Sequence, residues 1–138
     1  MPSIDVVASL RTWLLADPAL TGLVADRIYH RLPSDVTWPA IRLTRVGGTR
    51  TASGTRDRPL VMVDVFDADP VAATATAEAV RDRLNAIEFG AATGQATALG
   101  ICGATEQGGP RQTWDTTRDP AISHQSMTWQ FCTRTTTS

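Results

Sequence analysis

Apolar residues recur early in the chain at Val7, Leu10 and Leu14, the spacing of one helical face, with Val6 and Trp13 flanking the stripe. Ser3 is placed to cap this helix, and Pro18 should end it at Asp17, because the residue before a proline disfavours helical geometry. "PALTGLV" then reads as a short helical turn, and "DRIYHRLP" leads out of it in extended form. In "PAIRLTRVGG" the pattern changes to period two, with Ile41 and Leu43 alternating with Arg42 and Thr44, which predicts a strand. The following segment, 47–58, holds three glycines and no large apolar side chain, so a long exposed hairpin loop or mobile flap is expected. "PLVMVDVFD" (59–67) is the clearest strand: Val61, Val63 and Val65 share one face, and Met62, Asp64 and Phe66 the other.

Helical spacing returns after Asp69. Ala73, Ala77, Val80, Leu84 and Ile87 form a core stripe, while Glu78, Arg81, Asp82 and Asn85 fall on the solvent side. Gly90 to Ala98 form a small-residue connection. "ALGICGATE" and "ISHQSMTWQFCTRT" read as two more strands joined by the polar segment 107–120. In the last strand Met127, Trp129 and Phe131 point one way, and Thr128, Gln130 and Cys132 the other. The succession predicts an α+β domain: a mainly antiparallel four-stranded sheet with two main helices packed on one face. One domain should span 1–138, with a disordered tail at 134–138.

Composition narrows the chemistry. The 138 residues are 42% apolar with a net charge of −1, which suits a globular domain and gives no electrostatic footprint for nucleic acid or anionic membrane. All basic residues are arginine, so Schiff-base chemistry, a lysine base and a phosphate-binding Walker loop are excluded. No apolar run approaches the ~18 residues of a membrane span, and the N-terminus lacks a charged start before an apolar core. The expectation is a soluble, non-secreted protein. Cys102 and Cys132 lack metal-type spacing and are expected to be small buried apolar residues in a reducing cytoplasm.

Asp64, Asp67 and Asp69 lie close enough in sequence to raise the question of a metal or acid–base site. Strand periodicity separates them. Asp64 is on the Met62 face and Asp67 on the valine face, while Asp69 before Pro70 is the expected N-cap of the next helix. The same Asp-Pro pair at 17–18 and 119–120 reads as punctuation. His30 and His124 have no serine or cysteine in a nucleophile-elbow setting. A zinc site of Cys102, Cys132 and His124 would need the last two strands to pair and a fourth ligand. No catalytic residue, cofactor site or metal site is assigned, and the protein is read as a non-enzyme.

Two features point to partners instead. Arg50, Arg56 and Arg58 sit among small residues with only Asp57 opposing them, which suits contact with an acidic protein surface or with phosphates. Met62 and Phe66 lie opposite the valine face, so either the first helix or another subunit must cover that side of the sheet. Arg50, Arg56, Arg58, Met62 and Phe66 are the candidate partner or intersubunit contacts.

"LRTWLLADPALTGLVADRIYHRLP", "PAIRLTRVGG" and "VMVDVFDADPVAATATAEAVRDRL" together resemble the tail terminator (tail-completion, head–tail joining) proteins of long-tailed bacteriophages. The likeness covers most of residues 4–88. It implies a small subunit that forms a hexameric ring on the finished tail tube, stops tube growth and docks onto the head connector. DNA would pass through the ring without tight binding. The implied place is the tail–neck junction of the virion, after assembly in the bacterial host cytoplasm. The family supplies no catalytic residues. Another neck component, such as a head-closure protein, and a nucleic-acid-binding module using the arginine-rich loop stand as alternatives.

Overall fold

The computed structural model, which describes residues 4–51, 54, 56–88, 96 and 98–135, runs α1 (Val6–Leu15), α2 (Pro18–Val24), β1 (Ile28–Tyr29), β2 (Ala40–Arg50), β3 (Arg56–Asp67), α3 (Pro70–Glu88), β4 (Ile101–Asp115) and β5 (Ile122–Arg134). The strands form one sheet in the order β1-β2-β3-β5-β4. Its pairs are antiparallel except β1–β2, which is parallel.

The sheet is therefore five-stranded and mixed, not four-stranded. The added strand, β1, sets only Ile28 and Tyr29 beside Ile41 and Arg42. Such a short strand shows no periodicity of its own. It is held in place by guanidinium groups: Arg11 Nε donates to the Ile28 carbonyl at 2.7 Å, and Arg27 Nε donates to the Pro39 carbonyl at 2.8 Å.

Aspartates start α1, α2 and α3. Asp5 Oδ1 accepts the Ala8 N–H at 3.1 Å, so α1 begins at Val6; Ser3, the cap expected from the sequence, lies outside the described residues. Asp17 Oδ1 accepts the Ala19 N–H at 3.2 Å, and Asp69 Oδ1 the Val71 N–H at 3.0 Å. Each satisfies an N–H that has no partner within its helix. The third Asp-Pro pair, 119–120, lies instead in the turn between β4 and β5.

α1, α2 and α3 all pack on the valine face. Val6, Leu10, Trp13 and Leu14 of α1 join Leu20 and Val24 of α2 and the Ala77, Val80, Leu84 and Ile87 stripe of α3. Beneath them lie Ile41, Leu43, Val61, Val63, Val65, Met127, Trp129 and Phe131. Each large aliphatic side chain so buried contributes about 1.5–3 kcal/mol relative to exposure. A polar clasp joins α1 to α3: Trp13 Nε1 donates to the Arg83 carbonyl and Arg83 Nε to the Trp13 carbonyl, both at 3.1 Å. The Arg83 guanidinium also lies 3.5 Å from the Trp13 ring centre. Because α1 is committed to this face, it does not cover the other.

Two segments expected to be loops are strand. Residues 47–58 are mostly ladder: Gly47 pairs with Leu60, Gly48 with Pro59, Thr49 with Arg58, and Arg50 with Asp57, while residues 52, 53 and 55 lie outside the described residues. Likewise β4 runs through the polar segment 107–120 as far as Asp115. Register shifts between Glu106 and Gly108 and between Gly108 and Arg111 interrupt the alternation by which a strand is recognised. The connection 90–98 falls largely outside the described residues, as do residues 136–138 of the expected tail, whereas Arg134 belongs to β5.

Candidate functional site

At one end of the sheet β2 and β3 continue together as an arm that stays joined to β5, with Arg56 opposite Arg134 and Asp57 opposite Thr133. A register shift between Arg45 and Gly47 opens it, and Gly48 makes it possible. Gly48 has φ +125°, and a Cβ there would fall 2.3 Å from the Arg58 carbonyl oxygen. Only glycine tolerates both the angle and so close an approach of two backbones. A buried carboxylate near the far end of the arm reaches back along it: Asp57 Oδ2 lies 3.0 Å from Arg45 Nη1, with the Asp57 side chain only 4% exposed.

The three candidate arginines lie on this arm and are all exposed. Cross-strand register divides them between its faces. Arg58, opposite Thr49, shares a face with Arg56, Leu60 and Met62, whereas Arg50, opposite Asp57, falls on the other. The arm thus presents cations to both sides rather than as one patch.

The helix-free face of the sheet continues from Arg58 through Leu60, Met62, Asp64 and Phe66, alongside Gln130, Thr128, Ser126 and His124 of β5. Met62 is half-buried and borders an open hollow of about 210 Å³ with Gly108, Arg111 and Thr128. Phe66 is placed differently. It is 1% exposed, with Trp38 at 6.3 Å between ring centres, His124 stacked at 4.4 Å and the Arg42 guanidinium at 5.1 Å. Phe66 therefore supports this surface from beneath, while Met62 reaches it.

Between Met62 and Phe66, the fully buried Asp64 forms the centre of a polar network across three strands. Arg42 Nη2 on β2 lies 3.1 Å from Asp64 Oδ2, and His124 Nε2 on β5 lies 2.6 Å from Oδ1. Burial pushes the Asp64 pKa upward, but the His124 hydrogen bond and the Arg42 charge outweigh it and hold the carboxyl below its ordinary range. An ionised carboxylate only accepts, so the imidazole nitrogen facing it carries the hydrogen. Among the described residues no hydroxyl or thiol hydrogen-bonds the ring, so a base without a nucleophile results. The network was not read from the sequence. Its one signal was the shared face of Arg42 and Asp64 on neighbouring strands, which means nothing until the register is known.

The other chemical candidates do not converge. Asp67 Oδ1 accepts the Asp69 N–H at 3.2 Å, while Asp69 caps α3, so these two carboxylates serve the strand-to-helix turn. His30 is exposed and borders two open hollows, one beside Tyr29 and Leu43, the other beside Arg31, Arg42 and Arg118. Cys102 and Cys132 are adjacent but are not buried apolar residues: Cys102 is exposed and Cys132 half-buried. His124 is engaged with Asp64, and no group of three or more metal-type side chains occurs among the described residues.

Residues 8–119 match the family described as tail completion protein gp17. The chain belongs to that family. It is accordingly a structural component of a phage-type virion, at the tail, as its resemblance implied. This tail completion protein also shares its fold with a chain in the structure titled "Virion of native gene transfer agent (GTA) particle". The TM-score is 0.64 at 16% identity, with 94% of each chain covered. At that identity the likeness is one of fold. No curated protein matches the chain.

Proposed function

We propose that this tail completion protein is the terminator of the tail tube: a subunit that closes into a ring of six copies, stops tube growth and forms the joint to the head connector. The observation that supports it most is a family match over residues 8–119 in a domain whose sheet, among the described residues, carries helices on one face only. A helix-free sheet face and an end of the sheet that exposes three arginines are what a ring subunit needs to meet a neighbour and a tube. Arg50, Arg56 and Arg58 supply charge-assisted hydrogen bonds to carboxylates of the tube or of the next subunit. Met62 supplies apolar contact, and Phe66 keeps that surface rigid. DNA passes through the hole without tight binding, in keeping with a subunit charge of −1.

Electron microscopy of the purified protein, alone and mixed with tail tube, tests this reading. Closed rings, or rings seated on tube ends, are expected. A protein that stays monomeric at high concentration and leaves tube ends bare would overturn it.

A further inference from the structure

Cys102 and Cys132 sit side by side where β4 begins and β5 ends, on the helix-free side of the sheet. Cys102 Sγ lies 2.9 Å from Cys132 Sγ and 3.2 Å from the Cys132 carbonyl oxygen. The register shift between Ile101 and Gly103 sets them together, because Gly103 rather than Cys102 is the residue opposite Cys132. Both thiols are free and reachable from solvent. Cys132 borders an open hollow of about 200 Å³ with Arg58, Thr105 and Gln130.

We propose that Cys102 and Cys132 are a built dithiol site that forms a cross-strand disulfide by exchange with a small carboxylate-bearing disulfide, the chemical class of oxidised glutathione. The Cys102 S–H donates toward Cys132 Sγ, which leaves Cys132, on the hollow, as the attacking sulfur once its proton passes to water, and Arg58 draws the carboxylates of the incoming molecule into that hollow. The Cys132 thiolate attacks one sulfur of the small disulfide and expels the other half as a thiolate, leaving a mixed disulfide on Cys132. Cys102 then loses its proton to water and attacks Cys132 Sγ, expelling the second small thiol. Two electrons pass from the two protein thiols to the small disulfide, which leaves as two thiols.

Geometry favours closure over a lasting adduct, since the resolving sulfur is already in contact with its target. Burial, together with the contact to Cys132, pushes the Cys102 thiol up to about 11, partly offset by the nearby Arg56 and Arg134 charges. The second step therefore quickens as pH rises. The product would tie the start of β4, an edge strand, to β5, so it forms when the protein leaves a reducing cytoplasm.

The test is incubation of the full-length protein with oxidised glutathione, followed by alkylation, intact mass measurement and peptide mapping. Wild type should lose two hydrogens, take up no alkylating agent and yield one peptide pair joining 102 to 132. Cys102→Ser should stop with one glutathione on Cys132, and Arg58→Ala should slow that first step. The oxidised wild type should melt several degrees higher than the reduced form. Two thiols still open to alkylation, a lasting glutathione adduct on wild type, or a disulfide-linked pair of chains would each overturn the proposal.

Discussion

Asp64 and His124, on neighbouring strands, are joined at 2.6 Å beneath the helix-free face of the sheet, and Arg42 holds the second carboxylate oxygen from the far side. The carboxyl ionises below its ordinary value of 3.8 because these partners outweigh its burial. A carboxyl whose folded pKa is depressed adds stability above its unfolded pKa and loses it as pH falls through the folded value. Stability should therefore decline from about pH 4 downward. Asp64→Asn should cost about 1–3 kcal/mol at neutral pH, and its deficit against wild type should shrink in acid. Denaturant melts of both proteins across that range check this; a deficit independent of pH contradicts it.

Gly48→Ala should destabilise the arm sharply. The new Cβ meets the backbone of Arg58 and Pro59, neither of which can rotate away as a side chain would, at a φ that side chains rarely adopt. A cost of about 2 kcal/mol is expected, with hydrogen exchange quickened in 47–60 and unchanged in α3. A variant as stable as wild type would show that the close backbone approach does not hold.

Asp69→Ala removes the acceptor for the Val71 N–H and should lower stability by about 1 kcal/mol. Asp69→Asn should recover most of that loss, because asparagine caps nearly as well. Thermal melts of the two variants distinguish a cap from a charge effect.

Because Asp67 and Asp69 are turned to backbone N–H groups, magnesium or manganese should produce no specific heat in calorimetric titration. Micromolar binding abolished by Asp67→Ala would contradict the structural role of these carboxylates.

Replacing Arg50, Arg56 and Arg58 together with alanine should shift the melting temperature little, since exposed charges contribute roughly 0–1 kcal/mol each. Ring formation or attachment to the tube should weaken, as judged by electron microscopy and sedimentation. Unaltered assembly would remove the arm from the proposed contact. Lost DNA binding with assembly intact would favour the nucleic-acid reading.

Local rules fixed much of this protein in advance. The stripe from Ala73 to Ile87, the two faces of 59–67 and of the last strand, and the Asp17 and Asp69 caps depend on spacing and on neighbours a few residues away, so one-dimensional pattern reveals them. What required the tertiary structure was set by register between distant segments. Residues 47–50 look like a loop because they lack apolar side chains, yet they are strand because their backbone groups find partners on 57–60. The two-residue β1 exists only where Arg11 and Arg27 hold it against β2. The same holds for the Asp64 network and for Cys102 beside Cys132: a one-residue slip along β5 would turn His124 and Cys132 to the helix-covered face and part both pairs. Spacing within a strand chooses a side chain's face, but only the pairing of strands chooses its neighbour.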